Sequence, residues 1–227
     1  MTDQSLSLAA KIYVVWAALA VVFAILVAGL NAETVTRLLT IAFLVLQIVA
    51  RKRLAACGRF LSPRWRFVLL GTVLASVVEG FHMISKPVFD SVRINAQMPL
   101  SQALGFYAID LLFTVPAYLV ILTVIWRLIT RYKLSLWEYI FLVALAQTLG
   151  DGGIFYFASA PFMLPFLPYP MTNYHAMNII PYLAVREELA PTERSFRTPL
   201  TLIVHIIATY LVCGSLIKIA ARPFGFE

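Results

Sequence analysis

Six long apolar runs constrain this chain more than any other feature: roughly residues 11–30, 34–50, 66–85, 103–126, 134–158 and 198–218. A helix needs about 20 apolar residues, at 1.5 Å rise each, to cross the hydrocarbon of a bilayer. In lipid, a spanning element must satisfy its own backbone polar groups, which leaves helices and closed barrels. Runs of this length therefore predict an all-α, polytopic membrane helical bundle of about six transmembrane helices. Composition agrees, because 61% of the 227 residues are hydrophobic and 13% are charged, whereas soluble domains run nearer half and a quarter. The run at 34–50 is the weakest, since Arg37 interrupts its start; that arginine is expected to snorkel to the interface. The first run is too long for a signal-peptide core and is expected to be the first span.

Basic residues orient the set. RKRLAACGRFLSPRWR (51–66) holds six Lys/Arg and no acid, the pattern of a cytoplasmic loop. RLITRYK (127–133) adds three more, Lys218 ends the last run and Arg222 follows it. Six spans with both termini cytoplasmic satisfy all of these. The net charge of +7 then reports loop orientation and anionic headgroups. Without basic stripes interleaved with exposed aromatics, it does not point to nucleic acid. Cys57 and Cys213 are expected as free thiols near the reducing face. On this reading residues 159–197 lie on the opposite side. Their first part carries five prolines within 160–183, which argues against one regular helix and for a lid or re-entrant segment. Residues 186–197 read as a solvated loop of mixed charge. The chain divides into an N-terminal transmembrane hairpin with its basic loop (1–63) and a ligand-binding bundle (64–227) carrying the 159–197 lid.

Charges within spans are costly and usually functional. Glu79 lies 13 residues from the cytoplasmic end of its run, and Asp110 and Asp151 each lie seven residues from the other end of theirs. His205, seven residues into the last run, falls at the same level if that run starts on the far side. At 1.5 Å per residue the four share one level, about 10 Å below the far surface, which suggests one pocket. Each has a plainer reading: a carboxylate can cap or pair, and His205 can be an interhelical hydrogen bonder. GDGG (150–153) looks like a local helix distortion. Gln147, one turn before Asp151 on the same face, is placed to hydrogen-bond it. Glu79-x-x-His82 has the spacing of a di-iron carboxylate motif, but that site needs two copies and two further glutamates; no metal and no redox cofactor is expected. No phosphate-binding glycine loop or nucleophile elbow occurs.

Three segments carry a family resemblance. RFVLLGTVLASVVEGF (66–81) has a glutamate–glycine pair late in a hydrophobic helix, YAIDLLF (107–113) places Asp110 in the next, and AQTLGDGGIFYF (146–157) reads as Q-x-x-G-D-x-x-x-F through Gln147, Gly150, Asp151 and Phe155. In this order they resemble the EXPERA superfamily, specifically the emopamil-binding proteins, over about residues 64–158. The resemblance implies a five-helix membrane core, here with an extra N-terminal span, and double-bond isomerisation of a sterol. For a eukaryotic chain it also implies the endoplasmic reticulum membrane. The superfamily's isomerases carry a histidine one turn before the glutamate, where this chain has Ala75; its second acid is aspartate, and residues 198–218 contain no tryptophan. These differences favour a membrane terpene cyclase or a non-catalytic sterol or amphiphile binder over sterol isomerisation.

The chemistry expected of such a pocket is protonation of an alkene or epoxide of a hydrophobic isoprenoid drawn from the bilayer. Lipid burial favours a carboxylic acid's neutral form, and a neutral acid can donate that proton. A second carboxylate stabilises the carbocation and removes a different proton, while aromatic faces shield the cation. Glu79 and Asp110 are the expected pair, with Asp151 and His205 as further catalytic candidates. Phe81, His82, Phe106, Tyr107, Phe113, Gln147, Phe155, Tyr156 and Tyr210 are expected to line the substrate. Membrane lipid is the other expected partner, and a homodimer is compatible with this reading.

Overall fold

The computed structural model describes residues 8–195 and 197–226, and among them regular structure is helical throughout. The helices are α1 (Leu8–Ala28), α2 (Ala32–Val49), the short α3 (Arg51–Ala56), α4 (Pro63–His82), α5 (Leu100–Arg131), α6 (Leu136–Thr148), the short α7 (Ile154–Ser159), α8 (Pro168–Val185) and α9 (Thr198–Ala221). Five segments are long and apolar enough to cross a membrane: Leu8–Ala28, Ala32–Val49, Leu100–Arg131, Leu136–Ser159 and Thr198–Phe224. The chain is a helical membrane bundle.

Local sequence sets the boundaries. Gly29 (φ +65°) turns the chain out of α1. Asn31 then caps α2, its side chain accepting from Thr34 N at 3.0 Å while Thr34 Oγ1 accepts from Asn31 N at 2.8 Å. Ser135 and Glu138 make the same reciprocal box at the start of α6, satisfying amides that a helix start leaves unpaired. Prolines open α4 and α8, where the missing N–H costs nothing.

The principal departure from expectation is α8. Residues 159–197 do not form a lid on one side: only Pro161–Phe166, a 3₁₀ segment, stays at that end. Residues Pro168–Val185 form a helix inside the bundle, packed against α1, α2, α4 and α6 and largely buried. The prolines predicted a break, but Pro168 and Pro170 occupy the first helical turn, where proline is tolerated. Pro181 lies within the last turn and a half of the helix.

Because α8 runs the length of the bundle, the segment after it emerges beside the 127–138 connection. Glu193 N donates to Arg131 O at 3.1 Å and Glu193 O accepts from Lys133 N at 2.8 Å. Arg131 pairs with Glu193, Arg194 with Glu138, and Arg66 at the start of α4 with Glu188. Residues 186–195 are thus tied to the end of the bundle that carries the basic 51–66 loop. It follows that α9 starts from that end and finishes at the other, where Phe226 stacks on Phe89 (ring centroids 5.2 Å apart). The first described residues of α1 lie toward the 136 end, since Tyr13 packs on Phe141 and Phe23 on Phe166. The described termini sit at opposite ends of the bundle, not together as six crossings require.

Candidate functional site

Helices α1, α2, α4, α5, α8 and α9, with the α6–α7 junction, line a partly open cavity of about 1400 Å³, larger than the roughly 300–1,000 Å³ usual for small-molecule sites. Its walls carry Glu79 from α4, Tyr118 from α5, Asp151 from the junction, Tyr174 from α8 and Tyr210 from α9.

The junction explains how Asp151 gets there. Leu149–Gly153 is a π-type turn, with Asp151 at φ −83°, ψ 39° and Gly152 at φ +88°. Such bulges re-aim side chains and often mark functional sites. Glycine is required three times over: Gly152 for its positive φ, Gly150 because α9 passes so close that a Cβ there would sit 2.7 Å from Tyr210 Cβ, and Gly153 because a Cβ would sit 2.3 Å from Thr148 O. The GDGG distortion read from sequence is realised. Its aspartate serves a side chain and not the freed backbone, since Tyr174 Oη donates to Asp151 Oδ2 at 2.6 Å.

Glu79, late in α4, accepts a hydrogen bond from Tyr118 Oη. Asp110 and Asp151 are both near enough to act on it electrostatically. Asp110 does not face the cavity. It is fully buried, with Oδ1 accepting from Val88 N at 3.0 Å and Oδ2 without a partner. The carboxyl thereby pins the loop that follows α4 to α5. At this level the cavity's acids are Glu79 and Asp151, and Asp110 is not on its wall.

Other candidates separate in the same way. His205 lies outside: it is exposed on the outer face of α9, with Nδ1 2.7 Å from Thr201 O. Its expected level assumed that α9 starts at the far side, and the traverse of α8 reverses that helix. Gln147 does not bond Asp151. Its Nε2 donates to Tyr210 Oη at 2.9 Å and its Oε1 accepts from Asn178 Nδ2 at 2.5 Å, so it braces α6, α8 and α9 behind the cavity. His82, Tyr156 and Tyr210 line the cavity. Phe155 is exposed on the outer surface. Phe81 packs edge-on against Phe43, and Phe106, Tyr107 and Phe113 pack around Phe89 and Val92 at the loop end. Tyr107 Oη also donates to Ser76 O at 2.6 Å. Among the described residues, no three His, Cys, Asp or Glu side chains converge as metal ligands.

Sequence reasoning missed Tyr118, Tyr174 and Arg37. Tyr118 was findable, because Asp110, Thr114 and Tyr118 fall at i, i+4 and i+8 on one helical face. Along α9 the stripe Tyr210, Cys213, Gly214 and Ile217 faces the cavity at the same spacing. Arg37, expected to snorkel outward, turns inward and is only 4% exposed. No known family model, curated protein or solved structure matches the chain.

Proposed function

We propose that this protein is a membrane-embedded acid–base isomerase or cyclase of a hydrophobic isoprenoid. The observation that carries the reading is one cavity of about 1400 Å³ holding Glu79 and Asp151 together, each hydrogen-bonded by a tyrosine from a different helix. In the reaction, Glu79 in its acid form delivers a proton to an alkene carbon, or to an epoxide oxygen whose C–O bond then opens to a hydroxyl, and a tertiary carbocation forms. Tyr118 holds the carboxyl in place and bonds the carboxylate left behind. The rings of Tyr118, Tyr174 and Tyr210 face the cation, and Asp151, the second carboxylate, balances its charge and removes a proton elsewhere. Asp110 is a positioning residue in this scheme, holding Val88 and acting on Glu79 through space. The cyclase form, in which a second alkene captures the cation, is favoured by a cavity this large and by Ala75 in place of the family histidine. A sterol or amphiphile binder uses the same walls without turnover.

The proposal includes the topology. Seven helical crossings put the ends bearing residues 51–66, 127–138 and 186–195 on one side, and their excess of Lys/Arg assigns that side to the cytoplasm. The amino terminus is then cytoplasmic and the carboxyl terminus is not. In a eukaryotic cell the membrane would be the endoplasmic reticulum, following the EXPERA resemblance.

The test is incubation of native protein and its co-purified lipids in heavy water, followed by mass spectrometry. Deuterium entering an isoprenoid or sterol, absent with Glu79→Gln, is the expected result, and the product's ring count separates cyclase from isomerase. A bound lipid that neither takes up the label nor gains a ring leaves a binding protein.

A further inference from the structure

The end of the cavity nearest the 83–99 loop has a different character from its middle. Arg37, His82, Lys86, Lys218 and Arg222 line it, against Glu33 as the one acid there. Glu33 is already engaged, 3.8 Å from Lys86. Arg37 is the anomaly. Its Nη1 donates to Asn173 Oδ1 at 2.5 Å and to Thr172 Oγ1 at 3.0 Å, and its guanidinium stacks 4.5 Å from the Tyr169 ring centre. Among the described residues no carboxylate pairs with it, and its buried Nε has no acceptor. His82 Nε2, on the same wall, is likewise buried and unpartnered. Burying an unpaired cation is expensive, and a guanidinium is a donor fork with no acceptor of its own. These three neutral groups on α8, with the Pro170 carbonyl 3.5 Å from Nη1, position that fork while leaving its charge unanswered.

The location relates this end to the carboxyls. Thr36 Oγ1 donates to Phe81 O at 3.0 Å and α2 runs antiparallel to α4, so the residue beside it, Arg37, stands within about one helical turn of Glu79 along the axis. A ligand held here by an oxygen-rich head would lay its chain past Glu79 and Asp151.

We infer that Arg37, with His82 and Lys86, forms an anion subsite, and that the cavity's ligand is an amphiphile with a phosphate or carboxylate head. This deepens the reading above by naming the head group, and its test reads binding, so turnover can fail without affecting it. The probes are dodecyl phosphate and dodecanol, titrated against full-length protein in phosphatidylcholine nanodiscs. Dodecyl phosphate is expected to bind at least tenfold more tightly than dodecanol. Arg37→Gln should bring the two within about twofold, Arg37→Lys should keep part of the preference, and His205→Ala, on the outer face of α9, should keep all of it. The double variant His82→Asn/Lys86→Ala leaves Arg37 in place and should cut the preference severalfold, which keeps the test open if Arg37→Gln fails to fold. Nanodiscs doped with phosphatidic acid separate the sources. Competition by that lipid makes the occupant a bilayer headgroup, and its failure to compete makes the occupant a single-chain substrate. Equal binding of the two dodecyl probes to wild type, or a preference that survives Arg37→Gln and the double variant, overturns the subsite.

Discussion

Replacing Gly150 with alanine tests the site's architecture where α9 crosses the α6–α7 junction. The added Cβ would lie 2.7 Å from Tyr210 Cβ and 3.1 Å from Ile207 Cα, whereas carbon atoms rest at about 3.5 Å or more. To reach that separation α9 must retreat by about 0.8 Å at Tyr210 and about 0.4 Å at Ile207. Neither contact can be relieved by rotating a side chain, because one partner is a Cβ and the other a Cα. Overpacking of this kind costs about 1–3 kcal/mol, from which alanine's better helix propensity recovers at most about 1 kcal/mol. For a chain of this size each kcal/mol moves Tm by about 2–4 °C, so Gly150→Ala should unfold several degrees below wild type in detergent, followed by far-UV circular dichroism. The control is Gly105→Ala on α5, where a Cβ meets nothing within 4 Å; there the propensity gain stands alone and Tm should hold or rise. A Gly150→Ala protein as stable as wild type would refute the close α6–α9 crossing, and with it the placement of Tyr210 on the cavity wall.

The remaining predictions concern chemistry and topology. Tyr118→Phe removes the donor to Glu79 and should lower label incorporation about 10-fold, from roughly 1.5 kcal/mol of hydrogen bond to a charged acceptor, with ligand affinity unchanged; a parallel fall in affinity would make Tyr118 a binding residue. His205→Ala should leave turnover and Tm within error, and any loss of activity would contradict its outward position. Single cysteines at Thr192 and Gln97, in a Cys57→Ser/Cys213→Ser background, should react with an impermeant thiol reagent from opposite faces of sealed vesicles. Labelling of both from one face would rule out a crossing by α8.

Much of the candidate site was legible because ionisable residues in lipid-length runs have few cheap explanations. Glu79 and Asp151 stood out on that ground alone, and both line the cavity. Asp110 stood out equally but points behind the cavity, because a depth count gives level and not azimuth. The aromatic candidates fared worst. Phe81, Phe106, Phe113 and Phe155 look like cavity residues in a sequence, yet they pack between helices or face outward. The tyrosines that matter carry a hydroxyl whose partner lies on another helix, which no local pattern records.

What the sequence determined by itself was the solvent: long apolar runs and few charges require helices in lipid, whatever their arrangement. Helix starts and the GDGG bulge were equally local, since caps, prolines and glycines act within a few residues. The course of α8 was decided by tertiary structure. Its polar, proline-bearing stretch is too weakly apolar to face lipid, and it runs through the bundle only because neighbouring helices cover it and supply partners for Tyr174, His175 and Asn178. That one burial reverses α9, moves His205 out and brings Arg37 in. Direction and facing are properties of packed pairs of helices, and a single helix's sequence does not contain them.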